Sequence, residues 1–254
     1  MIRRGLEYSA VAGFEPTLLD VYTPDGVARP PLVVWIHGGG FHSGDRVGLP
    51  DTLSPGSIFG ALTSAGFACA SIDYRLAPAA PLPLQIEDVR AAVRFLVDRA
   101  PRYGYDAERL GVWGESAGGL LALLAGLRMP QVRAVAAWYP VTDLLAFESD
   151  DPAELEQHSN LFGMRRKDAR ELARECSPVA HAREGAPPVL LVHGDADEEV
   201  PVAQSLRMHE LLLDVGADST LHVVPGADHC FRGYSDVPGL LKESVDYLGS
   251  RLMR

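Results

Sequence analysis

Five consecutive residues, Leu32-Val33-Val34-Trp35-Ile36, carry no polar side chain, and largely apolar runs recur at 67–72, 132–138 and 188–192. A strand covered on one face alternates apolar and polar residues, whereas a strand without alternation must be covered on both faces. Between these runs lie segments of helical periodicity. The clearest is 84–99, where Ile86, Val89, Val93, Leu96 and Val97 recur at helical spacing and the acids precede the arginines. Further helices are expected at 57–64, 120–127, 202–215 and 239–252, and further strands at 6–11, 17–22, 109–113 and 219–224. Strands alternating with helices predict an α/β protein with a mostly parallel central sheet covered by helices on both faces. The stretch 143–185 breaks the pattern. It is more charged, has no long apolar run, and predicts only short helices at 151–158 and 167–175. Unable to bury a core of its own, it reads as a small cap insertion in a single domain spanning 1–254.

The formal net charge of −11 leaves no basic stripe to neutralise phosphates, which argues against a nucleic-acid partner. Cys69, Cys176 and Cys230 are odd in number and widely spaced, so they form neither a disulfide framework nor a metal-ligand set. No secretory leader is expected, nor any membrane span, since no apolar run is long enough. A cytoplasmic protein is the expectation.

Chemistry concentrates in Gly111-Val112-Trp113-Gly114-Glu115-Ser116-Ala117-Gly118-Gly119, where a strand-like run meets a helical one at Gly-x-Ser-x-Gly. Small residues on both sides of Ser116 suit a tight turn that lifts one hydroxyl above a sheet. A serine hydroxyl is a poor nucleophile unless a base, oriented by a third group, stands beside it. In open α/β sheets such groups collect at the carboxyl ends of strands. Two loops at such ends follow in the chain, His193-Gly194-Asp195-Ala196-Asp197-Glu198-Glu199 and Pro225-Gly226-Ala227-Asp228-His229-Cys230-Phe231, giving the order Ser…Asp…His. From the residues alone, Asp195 and Asp197 are equal candidates for the acid. Asp143 also ends a strand, and Asp228 suits a turn role because it cannot easily orient its own neighbour's ring. The loop His37-Gly38-Gly39-Gly40-Phe41 has neither the Lys-Ser/Thr of a phosphate loop nor Gly-x-Gly-x-x-Gly. Its free backbone N–H groups suit an oxyanion hole instead. His37 is expected to hold this loop, His193 to be structural and His42 to line the entrance. Asp73 and Arg75 are expected to form an ion pair with each other.

Taken together, His37-Gly38-Gly39-Gly40, Asp73-Tyr74-Arg75-Leu76-Ala77-Pro78, Gly114-Glu115-Ser116-Ala117-Gly118-Gly119, His193-Gly194-Asp195-Ala196-Asp197 and Gly226-Ala227-Asp228-His229 resemble the α/β-hydrolase superfamily. The likeness is to its small esterase/lipase group, related to hormone-sensitive-lipase-like and feruloyl-esterase-like carboxylesterases, and runs from about residue 32 to the C-terminus. The resemblance implies an α/β-hydrolase fold and a triad of Ser116, Asp197 and His229, with Asp197 the acid of the His-Gly-x-x-Asp pattern. It assigns the oxyanion donors to Gly39, Gly40 and Ala117. It implies no metal or cofactor, and a small-molecule carboxylic ester as substrate through an acyl-enzyme. An arylformamidase or other amidase, a lactonase, and a non-catalytic ligand-binding relative are the alternatives. The small cap predicts an open pocket for short- to medium-chain or small aromatic esters, walled by Phe41, His42, Phe147, Leu161, Phe162 and Phe231. Nothing in the residues sets an oligomeric state.

Overall fold

The unbroken apolar runs become strands buried on both faces, and the computed structural model describes them within residues 1–146, 156 and 159–253. In chain order the elements are β1 (Ile2–Ser9), β2 (Thr17–Tyr22), β3 (Pro31–Ile36), α1 (Ser57–Ser64), β4 (Ala68–Ile72), α2 (Leu82–Tyr103), β5 (Asp106–Glu115) and α3 (Ala117–Arg128). They continue with β6 (Val132–Trp138), α4 (Arg170–Glu175), β7 (Val189–Gly194), α5 (Ala203–Asp214), β8 (Ser219–Val224) and α6 (Val237–Leu252). One sheet of eight strands runs β1-β2-β4-β3-β5-β6-β7-β8. The two pairings that involve β2 are antiparallel, and the rest, from β4 to β8, are parallel. This is the architecture of an α/β-hydrolase.

Alternate residues of each buried strand serve different cores. Leu32, Val34 and Ile36 of β3 join the layer of α2, α3 and α5, while Val33 and Trp35 join that of α1 and α6. In the second layer an aromatic row crosses the sheet edge to face. Trp35 meets Trp113 at 5.6 Å, Trp113 meets Trp138 at 5.1 Å, and Trp138 meets Phe231 at 5.2 Å between ring centroids. Trp138 also donates from Nε1 to Ser244 Oγ of α6 at 2.9 Å, so its one polar atom is satisfied in the core.

Several boundaries differ from the sequence expectation for local reasons. β1 begins at Ile2, several residues before the expected start, because Ile2 pairs with Tyr22 at the far end of β2. α2 extends beyond 84–99 in both directions. Pro83 lies in its first turn, where a missing N–H costs no hydrogen bond, and Gly104 ends it in the left-handed conformation at φ 82°. α3 begins at Ala117 and not at Leu120, so Gly118 and Gly119 are helical. The cap's second expected helix divides into a 3₁₀ turn at Arg166–Asp168 and α4. The helix expected at 151–158 falls almost wholly outside the described residues, as does Phe147.

Asp73 and Arg75 do not pair with each other. Asp73 accepts from Arg46, whose guanidinium also reaches Asp20 of β2, at 2.8 and 2.9 Å respectively. Arg75 gives its guanidinium and its backbone N–H to Asp88 of α2, at 2.7 and 2.9 Å. Each charge meets a partner from a different element, so the motif staples the β4 exit to β2 on one side and to α2 on the other. The Arg75–Asp88 side chains are only 10% and 3% exposed. Asp88→Ala would leave a buried guanidinium unpaired and should cost about 3–5 kcal/mol in chemical denaturation; a loss below about 1 kcal/mol would contradict this account of the motif.

Candidate active site

Ser116 is the single residue between β5, which ends at Glu115, and α3, which begins at Ala117. It holds φ 53° and ψ −121°, a conformation L-residues rarely adopt and one that costs on the order of 1–3 kcal/mol. The flanking glycines are steric requirements. A Cβ on Gly114 would overlap the carbonyl of Gly118, and one on Gly118 would overlap the carbonyl oxygens of Ile36 and His37. The turn is held to the sheet by the Ser116 N–H, which donates to Trp138 O at 2.9 Å.

The loop after β8 brings His229 over this turn. Its Nε2 lies 3.1 Å from Ser116 Oγ, and its Nδ1 lies 2.7 Å from Asp197 Oδ2 on the loop after β7. A carboxylate only accepts, so Nδ1 carries the proton and Nε2 is left to accept from the serine. Asp197 is itself held on several sides: Oδ1 accepts from the N–H groups of Glu199 and Val200 at 3.0 and 2.8 Å. His193, fully buried, places Nε2 3.4 Å from Asp197 Oδ2 and 2.7 Å from Val200 O, with Nδ1 on Ser205 Oγ. Burial works to raise the Asp197 carboxyl, but the hydrogen bonds from His193, His229 and the Val200 N–H outweigh it and hold the group well below the usual carboxylate range. Burial works to lower His229; the Asp197 hydrogen bond, with the charges of Asp197, Glu199 and Glu115, outweighs it and raises the imidazole above its ordinary value.

Beside this chain runs the glycine loop. Gly39 and Gly40 hold φ 103° and 61°, and Ser43 and His42 donate back to Gly39 O at 3.0 and 3.1 Å. Among the described residues no acceptor takes the N–H groups of Gly39, Gly40 or Ala117. Two buried groups fasten the loop from below. Tyr74 donates its hydroxyl to His37 O at 3.0 Å and stacks on the His37 ring at 4.3 Å. Glu115, next to the serine, accepts from Gly38 N at 2.6 Å and fills the space a Gly38 Cβ would need. Burial pushes the Glu115 carboxyl up, against the opposing pull of the Gly38 N–H, His229 and Tyr139.

These groups open into one cavity of about 640 Å³. Gly39, Gly40, Ser116, Ala117 and His229 line it together with the expected Phe41, His42 and Leu161. Phe162 and Phe231 do not. Phe162 is 2% exposed and turned into the core, and Phe231, fully buried, packs edge-on against Trp138 and Tyr139, the latter of which meets the His229 ring. An aromatic residue next to a site motif belonged here to the packing that holds the motif. Of the other candidate acids, Asp195 ties the two loops together by accepting from Gly226 N at 2.6 Å. Asp228 accepts from the N–H of His229, and Asp143 from that of Leu145. Sequence reasoning missed Val141, Leu144, Val200, Pro201 and the charged Glu198, Glu199 and Arg232 in the lining. It also missed Glu115 as the anchor of the glycine loop, although an acid directly after the uncharged run 110–114 was a visible signal. Strain concentrates here as well: of the non-glycine residues with positive φ among those described, Phe41, Ser116, Tyr139, Cys230 and Phe231 line or underlie the cavity, and Arg29 alone lies elsewhere.

A serine on a strand-to-helix turn, with an acid and a histidine on the loops after β7 and β8 of a mostly parallel sheet, defines an α/β-hydrolase site. The chain belongs to the feruloyl-esterase-like BD-FAE family of that class, whose family profile matches residues 19–212. It is 30% identical to Esterase LipC of Mycobacterium tuberculosis, over 84% of this chain and 57% of that protein. It is 29% identical to Esterase LipQ of the same organism, over 93% of this chain and 60% of that protein. The chain thus spans well under two thirds of either relative. A solved structure described as a truncated form of carbohydrate esterase from gut microbiota superposes with a TM-score of 0.85 at 24% identity, covering 100% of this chain and 97% of that one.

Among the described residues no helix is long and apolar enough to cross a membrane, and no group of three or more His, Cys, Asp or Glu side chains is arranged to hold a metal ion. The hydrogen bonds around His229 predict a measurable titration. Its NMR midpoint should lie above the unperturbed imidazole value of about 6.5, and Asp197→Asn should reduce its proton affinity by about tenfold or more; an unmoved midpoint would contradict the assigned cause.

Proposed function

We propose that this chain is a serine carboxylesterase that hydrolyses short- to medium-chain or small aromatic carboxylic esters through an acyl-enzyme. The observation that carries the proposal is the continuous hydrogen-bonded path from Ser116 Oγ to His229 Nε2, 3.1 Å, and from His229 Nδ1 to Asp197, 2.7 Å, at the wall of an open cavity. Ser116 attacks the ester carbonyl carbon while His229 takes its proton. Asp197 holds the imidazole in the required tautomer and stabilises the imidazolium. The carbonyl oxygen becomes an oxyanion, which the N–H groups of Gly39, Gly40 and Ala117 receive; one such donor is worth about 2.7–4 kcal/mol in the transition state. His229 then protonates the departing alkoxide. Water, deprotonated by the same imidazole, attacks the acyl-enzyme and releases the acid.

The size and lining of the cavity support the substrate range. About 640 Å³ bounded by Val141, Leu144, Leu161, Val200 and Pro201 accommodates a small apolar acyl group. Leu144 and Leu161 belong to the stretch 143–185, which supports reading that stretch as a cap on a single α/β-hydrolase domain. The three cysteines are all free, which supports a reducing, cytoplasmic location; recovery of the native protein in an extracellular fraction would refute it.

Ser116→Ala should lower ester turnover by at least about 10⁴-fold with an unchanged unfolding midpoint. By intact mass, a fluorophosphonate probe should add once to the parent protein and not to the variant. Wild-type rates in the variant would sink the mechanism. Across p-nitrophenyl esters from acetate to palmitate, kcat/KM should peak at the short or medium chains, and a maximum at palmitate would rule out the proposed range.

A further inference from the structure

The mouth of the cavity is charged in a way that ester hydrolysis does not require. Glu198, Glu199 and Arg232 line it, and Asp51 stands behind Arg232. The Arg232 guanidinium is already engaged, with Nε 3.0 Å from Asp51 Oδ2 and Nη1 3.4 Å from Glu199 Oε1. It is therefore a poor receptor for an anionic substrate, and three carboxylates against one guanidinium leave the mouth negative.

Glu199 is held at both ends. Its backbone N–H donates to Asp197 Oδ1 at 3.0 Å, the same carboxylate that orients His229. Its Oε1 faces Arg232, and its Oε2 lies 4.0 Å from His229 Nε2. That distance is too long for a hydrogen bond but places a negative charge beside the proton-transferring nitrogen. On the mechanism proposed above, on which this inference rests, Nε2 delivers its proton to the oxygen of the departing alcohol. That oxygen must come within hydrogen-bond reach of Nε2, so a carboxylate oxygen 4.0 Å from Nε2 borders the alcohol half of the ester and not the acyl half.

We propose that Glu199 is a specificity-determining residue whose carboxylate selects the alcohol moiety by charge. It favours esters of ammonium-bearing alcohols over uncharged isosteres and turns away esters whose alcohol carries a carboxylate. Arg232 tempers this field by neutralising one face of Glu199. The Glu199 side chain is 62% exposed, so water and salt screen it and the discrimination is moderate. About tenfold per unit of substrate charge is the order expected of one charge at such a distance in a solvated mouth.

The test compares kcat/KM at low ionic strength for three acetates of similar shape: 2-(trimethylammonio)ethyl acetate, 3,3-dimethylbutyl acetate and 4-acetoxybutanoate. The parent protein should prefer the cation to the neutral ester by about tenfold and disfavour the anion by a similar factor, and high salt should compress both ratios. Glu199→Gln should bring both ratios several-fold closer to one, the remainder being the field of Glu198. Arg232→Gln should widen them, a change of opposite sign that loss of structure would not produce. In Glu199→Gln the acid limb of the kcat/KM profile should also move down, because Asp197 and Glu115 would then be the remaining carboxylates acting on His229. Should Glu199→Gln fail to fold, the salt series and Arg232→Gln decide the matter. Charge ratios near one in the parent protein, or ratios unmoved by both substitutions, overturn the proposal while leaving the esterase reading intact. Absence of any Ser116-dependent hydrolysis of the neutral acetate overturns the esterase reading and this proposal with it.

Discussion

The close approach of the first turn of α3 to the end of β3 is the contact on which the rest of the site depends. Gly118 rests against the carbonyls of Ile36 and His37, so the helix that begins at the nucleophile-type turn touches the strand that ends in the glycine loop. That contact sets Ser116, the Ala117 N–H and the Gly39–Gly40 backbone around a common space. Glu115 tightens the same junction by accepting from Gly38 N. A side chain at 114 or 118 would force the two elements apart, and with them the hydroxyl from the backbone N–H groups opposite it. The spacing of Gly-x-Ser-x-Gly is thus a statement about backbone packing before it is one about chemistry.

Strain at the turn persists because the core beneath it is over-determined. Positive φ at Ser116, Tyr139, Cys230 and Phe231 would be relieved by small movements if the neighbouring groups could give. They cannot easily do so. The row Trp35, Trp113, Trp138 and Phe231 crosses the sheet in edge-to-face contacts, and Tyr139 packs on the His229 ring at 4.7 Å between centroids. Asp197 is fastened by two backbone N–H groups, and His193 stands beside it within the core. An imidazole held by one fixed carboxylate and packed against the Tyr139 ring has little freedom to turn away from the serine.

Much of the sheet was readable because its physical cause is local. Unbroken apolarity requires two covered faces, and a helical stripe requires one, so β3 and α2 were evident in outline. The errors had a common origin in partners that are remote in the chain. Gly118 and Gly119 looked like turn residues, but the neighbours they must accommodate, Ile36, His37 and Pro140, are supplied by other strand ends, and the residues are helical. Asp73 and Arg75 looked like a pair, yet Arg46 and Asp88 lie closer in space than either is to the other's charge. Phe162 and Phe231 looked like pocket walls from their position in site-bearing segments. Whether an aromatic ring faces a cavity or the core depends on backbone direction, and Phe231 follows a residue at φ 59° that turns it downward.

By itself the sequence determined the layer architecture, the strand-end positions of the glycine loop, Ser116 and the two later loops, and their order along the chain. Those features follow from apolar periodicity and from the steric demands of short motifs, both of which act over a few residues. Residue chemistry left open which carboxylate meets the imidazole; the resemblance implied Asp197, and the tertiary structure supplies the physical reason. Asp195 and Asp197 are chemically alike and two residues apart, but Asp195 turns toward Gly226 while Asp197 reaches His229 Nδ1 at 2.7 Å. Tertiary structure alone decided that Glu115 braces the glycine loop and that Glu199 stands 4.0 Å from His229 Nε2. Hydrogen bonds and charges act through distances of a few ångströms in space, and only the fold converts a separation of 32 or 113 residues into such a distance.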